Sequence, residues 1–539
     1  MTSEEDNEIW QLSEMFDPEK LTISRSSKLH RPRGYLCGTG MCPNCMMRVD
    51  GVPNVRVCTL VGNKKPRLEI QNHIRLLDTF RLTQKFSGLL KPGFQYTHFN
   101  DSRGMSNLFY GFLKRFTGLG RVATTSKLKR STERLEVDNL VIGGGVSGMN
   151  AALKASNTKV SPNGSRQGSV LLVDTYGALG GDIVQRWQTT MGYSELLRTK
   201  IEEVQAVISK VIANERIKCL MNTRVVGYYK DENTFLAISE RSTFEIRAKN
   251  VFVASGGHEV LPLFPNNDSP RVMLSLGAQI LMNQRARLPQ SAVVLDLNGL
   301  GPLVAADLVE RGKMSSVKLT RTEGFSTEEI DLCNQRSIEI LPKSIVSNVK
   351  NSGSVYIKSL KEEDQKKYDA GLVVVCGRYQ PNFELALQLG INLRLVTGTA
   401  EVRILQGAAG VNAVSATAVG SLVNGSYGLG SSSPEESGQI IFDITTDEYM
   451  RHFAKSSDSY VCLCEDVTAK DMYDSIEMGY DYVESLKRYT GCLTGPCQGK
   501  QCALNTASML NMMNPKTSGL LTTPRQPLYP LPLWSVASE

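Results

Sequence analysis

Short apolar runs alternate with helix-like stretches through the middle of the chain. Residues 140–142 form an apolar run of the length typical of a buried strand, and Met149 and residues 151–153 follow at helical spacing. Residues 293–295 and 303–309 repeat the strand–turn–helix pattern. Further predicted strands are 170–173, 251–254 and 373–375. This alternation predicts an α/β fold with two Rossmann-like, dinucleotide-binding domains.

The turn after the first of these strands is rich in glycine. It reads G-x-G-x-x-G and contains Gly143, Gly144, Gly145 and Gly148. In such a loop the first glycine permits a tight turn, the second lets the backbone approach a pyrophosphate, and the last lets helix pack on strand. The helix N-terminus favours the anion. Asp174 ends the next strand, where an acidic residue accepts a hydrogen bond from a ribose 2′-OH. The distance along the chain from the glycine motif to Asp174 is longer than usual, and the polar segment 161–168 accounts for the excess.

Three later segments are predicted to contact the same dinucleotide. Their candidate residues are Gly180, Gly181, Ala254, Gly256, Gly407 and Ala408. The last pair stands where flavoenzymes of this architecture usually carry Gly-Asp against the ribityl chain. This chain has Gln406 before Gly407 and lacks the aspartate, so the ligand is FAD or NAD. His258 is interpreted as a polar residue on a turn.

The second strand–turn–helix unit has an incomplete glycine motif. Gly299 and Gly301 are the only glycines in its turn. The pattern predicts a second Rossmann fold and leaves open whether that fold binds a nucleotide.

Composition narrows the class of protein. The chain has 539 residues, enough for about three to four domains. Its 41% hydrophobic and 21% charged residues are typical of a soluble protein. Apolar runs stay below the ~18 residues of a membrane span, and the polar, acidic start does not resemble a signal peptide. The sequence therefore predicts a cytoplasmic protein without a membrane span.

The net charge of +7 is unevenly distributed. Residues 21–91 contain 13 Lys or Arg and 3 acidic residues. Nucleic-acid binding is one interpretation of a basic block. This block has no obvious aromatic platform, however, and it surrounds a group of cysteines. Compensation of an anionic metal cluster, or an acidic protein partner, is therefore favoured, and no nucleic-acid partner is expected.

Nine of the twelve cysteines lie in two groups, which in a reducing compartment indicates metal ligands rather than disulfides. The first group is Cys37, Cys42, Cys45 and Cys58. Its C-x4-C-x2-C spacing, with a distant fourth cysteine, is that of plant-type [2Fe–2S] sites. A hairpin-like segment from Met46 returns the fourth cysteine to the loop. Zinc is the alternative, although zinc sites usually pair two C-x2-C knuckles.

The second group offers five thiols for four ligand positions. The segment between them predicts two short helices, the first ending at Gly479. The predicted ligands are Cys462, Cys464, Cys497 and Cys502, because the last two lie in a glycine-rich loop after the helices. Cys492 is the spare thiol. Zinc is again the alternative to iron and sulfide.

Segments along the chain occur in the order of a known family. They read RSSKLHRPRG, CGTGMCPNC, VDGVPNVRVC, the glycine-loop core, CLCEDVT, KRYTG, GPCQGKQC and TTPRQPLYPLPL. Together they resemble the large (alpha) subunit of bacterial and archaeal multi-subunit amine and amino-acid dehydrogenases. That family includes the alpha subunit of heterotetrameric sarcosine oxidase, hydrogen cyanide synthase, opine oxidase, and dye-linked L-proline or hydroxyproline dehydrogenases. The resemblance covers nearly the whole chain.

The resemblance implies a fold and a set of domains. The fold is α/β: a two-dinucleotide-binding-domain flavoprotein with an N-terminal plant-type ferredoxin-like domain and a small helical C-terminal domain. That C-terminal domain is similar to bacterioferritin-associated ferredoxin (BFD), whose ligands map to Cys462, Cys464, Cys497 and Cys502. The expected domains are 1–80 (ferredoxin-like), 81–135 (connector), 136–265 and 376–455 (first Rossmann domain), 266–375 (second Rossmann domain) and 456–539 (BFD-like domain and tail).

The resemblance also implies a division of labour. Substrate oxidation would occur on a flavoprotein beta subunit resembling glycine or sarcosine oxidase, within a hetero-oligomer. The implied cofactors are FAD, or NAD in the same site, two [2Fe–2S] clusters, and FMN at the interface with that partner. The implied substrates are sarcosine, proline or hydroxyproline, glycine or opines, with an external electron acceptor. Without the folate-binding domain of sarcosine oxidase, folate chemistry is not expected.

The residues themselves leave two other functions open. One is a self-sufficient NAD(P)H-dependent reductase that uses both Rossmann units. The other is a non-catalytic iron–sulfur electron carrier. Catalytic residues are not predicted, because nothing in the chain resembles an amino-acid pocket with a base and a carboxylate-binding arginine.

Overall fold

The computed structural model describes two compact units. Unit 1 contains residues 1–124, 259–378 and 446–518, and unit 2 contains residues 125–258, 379–445 and 519–539. The described residues are 14, 16–60, 65–70, 131–157, 168–187, 195–362, 364–390, 392–396, 402–405, 412–415, 439–443, 446–515, 522, 524–529 and 531. The connector predicted at 81–135 lies outside them up to residue 130, as do Gly407 and Ala408.

Strands are numbered in chain order. They are β1 Ser24–Arg25, β2 Pro32–Arg33, β3 Met46–Val49, β4 Val52–Arg56, β5 Leu68–Glu69, β6 Ser131–Ile142, β7 Val170–Val173, β8 Ile217–Leu220, β9 Arg224–Tyr229, β10 Thr234–Ile238, β11 Ser242–Val253, β12 Gly257–Val260, β13 Val272–Leu274, β14 Ser291–Asp296, β15 Ser316–Arg321, β16 Glu339–Pro342, β17 Ser344–Val349, β18 Ser354–Ser359, β19 Gln365–Asp369, β20 Leu372–Cys376, β21 Arg378–Pro381, β22 Asn392–Val396, β23 Val402–Leu405, β24 Asn412–Ser415, β25 Gln439–Asp443, β26 Tyr460–Cys462 and β27 Val467–Thr468.

Helices are numbered in the same way. They are α1 Val146–Ser156, α2 Asp182–Arg186, α3 Glu195–Ile212, α4 Ser275–Asn283, α5 Gly301–Glu310, α6 Thr327–Asn334, α7 Glu384–Gln388, α8 Glu448–Phe453, α9 Ala469–Glu477, α10 Val483–Thr490 and α11 Ala503–Met513. Within the described residues, every helix is too short or too polar to cross a membrane.

Unit 2 is built on a sheet of order β8-β7-β6-β11-β10-β9, with β24 also paired to β11. Strands β6, β7, β8 and β11 run parallel, as the predicted strand–turn–helix pattern requires. The register pairs Ile142 with Val253. The loops after these two residues therefore meet at one edge of the sheet, which is where parallel sheets bind ligands.

Several boundaries of unit 2 differ from the sequence-based domains; residues 259–265 and 446–455, predicted in the first Rossmann domain, lie in unit 1. Strand β6 begins at Ser131, inside the predicted connector, because its first residues pair along β11 from Ser242 onward. The tail also joins this unit, although it was predicted to belong with residues 456–518. Its Leu528 N–H donates to the Val226 carbonyl at 2.7 Å.

Unit 1 contains a parallel sheet of order β13-β20-β14-β15-β16. Strand β14 and helix α5 occupy the second strand–turn–helix unit predicted at 293–295 and 303–309, each extended by a few residues. An antiparallel sheet of β17, β18 and β19 follows in the chain. The N-terminal part contributes a hairpin of β3 and β4, which also pairs with β5.

One hydrophobic core runs through three predicted domains of unit 1. Cys37 and Cys42 from the N-terminal part pack in the same cluster of buried side chains as Val293 and Val373 of the parallel sheet and Leu463 of the C-terminal part. A shared core resists local opening more than separate small cores would. The two cysteine groups are therefore held in one rigid framework.

Candidate functional site

Two glycines of the G-x-G-x-x-G loop are required by the protein's own packing. Gly143 has φ +111°, and a Cβ there would lie 2.1 Å from the Ala254 carbonyl oxygen. A Cβ on Gly148 would lie 1.8 Å from the Gly143 carbonyl oxygen. Any larger residue at either position must displace backbone. These glycines let α1 and the loop after β11 approach β6, as the motif predicts.

Gly145 is different, because among the described residues only the Gly181 backbone approaches the space beside it. Its φ of −69° suits any residue, and a Cβ would have only the Gly181 Cα within reach, at 3.9 Å. Gly145 is the N-cap of α1, and no side chain caps that helix. The N–H groups of the first turn are thus available to an anion. An open, glycine-lined helix start fits a dinucleotide pyrophosphate.

The predicted second loop lies against the first. The Gly180 N–H donates to the Gly144 carbonyl at 2.9 Å, and a Cβ on Gly181 would lie 3.0 Å from the Gly145 Cα. Gly256, after β11, has φ +64° with open space around its Cβ position. The structure therefore brings together these predicted contact residues, together with Ala254, at one end of the sheet.

Asp174 is engaged with the glycine loop. One carboxylate oxygen accepts a hydrogen bond from the Gly144 N–H, and the other accepts one from the Tyr176 N–H at 2.6 Å. Burial raises the pKa of Asp174, while these backbone hydrogen bonds oppose the increase. The carboxylate is thus positioned beside the loop, and its contact with a ribose remains a prediction.

His258 does not lie on a turn, so that interpretation was wrong. It is the second residue of β12, and its ring is buried. Nδ1 lies 2.7 Å from Oδ1 of Asn382, whose backbone N–H donates to the Gly256 carbonyl. A new strand, β12, begins at Gly257 where the polar sequence suggested a turn, because this segment pairs with β21.

The turn of the second Rossmann unit is occupied by a carboxylate of the protein. Asp296 ends β14 and accepts hydrogen bonds from the Gly299 N–H at 2.8 Å and from Arg321 at 2.9 and 2.6 Å. A Cβ on Gly301 would lie 2.5 Å from the Asp296 Cβ. Asp296 therefore stands at the start of α5, where a Rossmann fold places phosphate. This occupation disfavours an anionic ligand there.

The first cysteine group forms two adjacent pairs of buried thiols. Cys37 is a neighbour of Cys42, Cys45 is a neighbour of Cys58, and Cys37 and Cys58 are also neighbours. Burial raises the pKa of Cys37, but hydrogen bonds from Cys42 and Cys58 outweigh burial and lower it. The thiolate is the metal-binding form. Two pairs of thiols match a [2Fe–2S] cluster, in which two thiolates bind each iron.

The loop that carries these thiols depends on glycine. Gly38 and Gly40 have φ values of +74° and +75°, a region that favours glycine. A Cβ on Gly38 would lie 2.6 Å from the Tyr35 hydroxyl. These two glycines therefore allow the tight backbone turns that bring the cysteines of this loop together, as the sequence indicated.

The second cysteine group brings all five thiols together. The four predicted ligands follow one another around a ring of neighbouring thiols: 462–464, 464–497, 497–502 and 502–462. Cys492 also lies against Cys462 and Cys502, with the three sulfur atoms within 4.8 Å of one another, and its role as the spare thiol remains a prediction. Hydrogen bonds from its neighbours lower the pKa of Cys462 despite burial. The ring offers four thiols to a metal cluster.

Arg56 joins the two cysteine groups, which the sequence did not indicate. Its Nε donates to the Cys42 carbonyl at 3.2 Å, and its Nη2 donates to the Pro496 carbonyl at 2.9 Å. Pro496 immediately precedes Cys497. One guanidinium therefore binds the backbone of both cysteine loops. The basic excess at 21–91 was the available signal, but it did not identify this residue.

A buried ion network provides a second link between the same regions. Arg33 donates through one Nη to Asp268 and through the other to Asp466. Arg31 also binds Asp268, with its Nε 2.6 Å from the carboxylate. Burial would raise the pKa of Asp268, but the two arginines hold it below its usual value. Asp466 follows the Cys462–Cys464 segment by two residues, so the network holds that segment in place.

Three families match successive parts of the chain. The 2Fe-2S iron-sulfur cluster binding domain matches residues 17–73, and the pyridine nucleotide-disulphide oxidoreductase family matches residues 137–294. The sarcosine oxidase A3 domain matches residues 456–539. These three matches contain the first cysteine group, the glycine loop and the second cysteine group, respectively.

Curated relatives match along most of the chain. Sarcosine oxidase subunit alpha from Corynebacterium sp. (strain P-1) is 25% identical over 75% of this chain and 45% of that protein. Hydrogen cyanide synthase subunit HcnB from Pseudomonas protegens is 22% identical over 74% of this chain and 97% of that protein. The chain thus spans less than half the length of the sarcosine oxidase alpha subunits it matches.

A solved structure matches the fold. L-proline dehydrogenase from P. horikoshii superposes with a TM-score of 0.61 at 19% identity, over 96% of this chain and 92% of that one. The fold is thus the α/β pyridine nucleotide-disulphide oxidoreductase fold with an N-terminal 2Fe-2S domain. In the order of its three matched domains and along most of its length, this chain is similar to sarcosine oxidase subunit alpha and to HcnB.

Proposed function

We propose that this chain is the electron-transferring subunit of a multi-subunit amine or amino-acid dehydrogenase. The substrate, of the sarcosine, proline, hydroxyproline, glycine or opine class, is oxidised on a flavoprotein partner resembling glycine or sarcosine oxidase. Electrons then pass through this chain to an external acceptor. A flavin accepts two electrons and releases them singly, and a [2Fe–2S] cluster carries one at a time.

The observation that carries this proposal is the link between the two cysteine groups. Both lie in unit 1, and Arg56 hydrogen-bonds the carbonyl of Cys42 and that of Pro496, beside Cys497. Ser27 adds a hydrogen bond to the Cys464 carbonyl at 3.1 Å. A short, hydrogen-bonded connection between two redox sites suits sequential transfer of electrons. Neither a storage site nor a pair of independent structural metals requires such a connection.

The residues of both groups fit [2Fe–2S] clusters. Cys37, Cys42, Cys45 and Cys58 would hold the first, in a plant-type ferredoxin-like arrangement. The ring of Cys462, Cys464, Cys497 and Cys502 would hold the second, in a BFD-like domain whose helices are α9, α10 and α11. All eight thiols are buried, and thiolate ligands in an apolar shell suit iron–sulfur clusters.

The glycine loop of unit 2 would hold the dinucleotide, FAD or NAD. Gly143 and Gly148 form the turn, Gly145 leaves room for the pyrophosphate, and Asp174 is placed for the ribose. The occupation of the second Rossmann turn by Asp296 argues against NAD(P)H entry there. The self-sufficient NAD(P)H reductase is therefore the weaker alternative. FMN at the interface with the partner remains part of the proposal by resemblance alone.

Iron content tests the metal assignment. Protein purified anaerobically is expected to contain about four Fe and four acid-labile sulfides per chain, because each [2Fe–2S] cluster contributes two of each. Elemental analysis and sulfide determination measure this. Zinc without sulfide at both sites would contradict the proposal, and zinc at one site would remove that site from the electron path.

Partner dependence tests the division of labour. The isolated chain is expected to show negligible dye reduction with sarcosine, proline, hydroxyproline, glycine or opines, because nothing in its sequence resembles an amino-acid pocket with a base and a carboxylate-binding arginine. Activity should appear when it is co-expressed with a partner flavoprotein that resembles glycine oxidase. Substrate-dependent turnover by the isolated chain would reject the electron-transferring role.

A cysteine variant of the complex tests at which step of the reaction the first cluster acts. Cys42→Ser is expected to slow acceptor reduction at least tenfold while leaving rapid reduction of the partner flavin by substrate intact, because the cluster acts after substrate oxidation. Stopped-flow absorbance separates the two steps. Cys219→Ser, outside both cysteine groups, is the matched control and should change neither step. If Cys42→Ser slowed both steps equally, the proposed order, in which substrate oxidation precedes electron transfer through the cluster, would be wrong.

A further inference from the structure

The second cysteine group holds one more thiol than a [2Fe–2S] cluster uses. The sulfur atoms of Cys462, Cys492 and Cys502 all lie within 4.8 Å of one another, and all three residues are buried. Thiolates on one tetrahedral metal ion stand about 4 Å apart, because metal–sulfur bonds are about 2.3 Å long. These three thiols can therefore face the same metal position.

The cluster leaves one of the three redundant. Each iron of a [2Fe–2S] cluster is bridged by two sulfides, which leaves room for two thiolates. Cys464 and Cys497, which are neighbours, would form the pair for one iron. The other iron faces three thiols and takes two.

Cys492 is fixed beside this position by contacts of its own. Its N–H donates to the Thr490 Oγ1 at 3.1 Å, and its Sγ lies 3.4 Å from the Thr506 Oγ1. Thr506 lies on α11, four residues after Cys502. A small buried apolar residue would keep the backbone hydrogen bond to Thr490 but not the contact with Thr506, so it is Thr506 that orients the buried thiol.

We propose that Cys492 is a reserve ligand of the second cluster, able to take the place of Cys502 on the same iron. This inference rests on the proposed second [2Fe–2S] cluster. Its sulfur atom lies within 4.8 Å of those of Cys462 and Cys502, and these three thiols form one group that can face a single metal position. The replacement is therefore specific: Cys492 can substitute for Cys502 but not for Cys497.

Alanine variants of the full chain, purified anaerobically, test this replacement. Alanine removes the ligand, whereas serine can still offer an oxygen. Cys492→Ala and Cys502→Ala are each expected to keep about four Fe per chain, the second with altered EPR g values in dithionite-reduced protein. The double variant and Cys497→Ala are each expected to fall to about two Fe. The EPR signal of the first cluster, unchanged in every variant, confirms that the chain has folded.

Two results would overturn the reserve ligand. If Cys502→Ala alone falls to about two Fe, Cys492 does not replace it. If Cys492→Ala alone falls to about two Fe while Cys502→Ala keeps four, Cys492 is the resident ligand and Cys502 the spare. Zinc in place of iron and sulfide at the wild-type second site would contradict the proposed cluster itself, so the two failures are distinguishable.

Thr506→Val provides a second line of evidence. Alone, it is expected to leave the iron content unchanged, because Cys502 serves the cluster. Combined with Cys502→Ala, it should lower occupancy of the second site below that of Cys502→Ala alone, since the thiol of Cys492 is no longer oriented. Equal occupancy with and without the valine would contradict an oriented reserve thiol.

Discussion

Gly145→Val is expected to abolish dinucleotide binding while the fold and both cysteine sites persist. The backbone at Gly145 has an ordinary φ, and an added Cβ meets the Gly181 Cα only at 3.9 Å. The protein itself therefore tolerates a side chain. The same side chain would occupy the space in which the backbone approaches a pyrophosphate. Mass spectrometry of the released cofactor, with iron content as the internal reference, measures the effect.

Gly148→Val is the matched control at the other end of the same loop. Its Cβ would lie 1.8 Å from the Gly143 carbonyl oxygen, so backbone must move. Overpacking of this kind costs about 1–3 kcal/mol, and occasionally more. This variant should lose stability as well as cofactor, whereas Gly145→Val, and the smaller Gly145→Ala, should lose cofactor alone. Full cofactor occupancy in both Gly145 variants would show that the dinucleotide does not bind at this loop.

Arg33→Met is expected to destabilise unit 1 by about 3–5 kcal/mol, the usual cost of removing one partner from a buried ion pair. The Arg33 side chain is 1% exposed and lies between two carboxylates that are 2% and 0% exposed. Methionine fills a similar volume but leaves Asp466 without its buried arginine and Asp268 with Arg31 alone. The midpoint of denaturant unfolding, followed by the visible absorbance of the iron–sulfur clusters, measures the loss.

Arg67→Met provides the comparison on the surface. Arg67 is 81% exposed and pairs with Glu69 at 2.7 Å. Exposed pairs contribute about 0–1 kcal/mol, so this variant should shift the midpoint little. Adding Asp268→Asn and Asp466→Asn to Arg33→Met should recover part of the lost stability, because uncompensated buried charge is the main cost. If Arg33→Met loses no more stability than Arg67→Met, the buried ion network does not contribute to the stability of unit 1.

The sequence by itself determined the local chemistry of this protein. The G-x-G-x-x-G turn and the C-x4-C-x2-C loop each lie within about ten residues of chain, and short-range spacing is visible in a sequence. The apolar runs likewise placed β6, β7 and β14, because strands buried on both faces are nearly continuous apolar segments. These features pointed to the two redox sites and to the nucleotide turn before any tertiary contact was known.

Only the tertiary structure decided how those parts work together. Three segments predicted as separate domains share one core in unit 1, and Arg56 and Arg33 join loops more than 400 residues apart. Asp296 lies at the start of α5, in the turn whose incomplete glycine motif left nucleotide binding undecided, and the sulfur of Cys492 lies within 4.8 Å of those of Cys462 and Cys502. Hydrophobic periodicity reports which face of an element is buried but not its partner. The pairing of charges and of thiols was therefore settled by packing between distant segments.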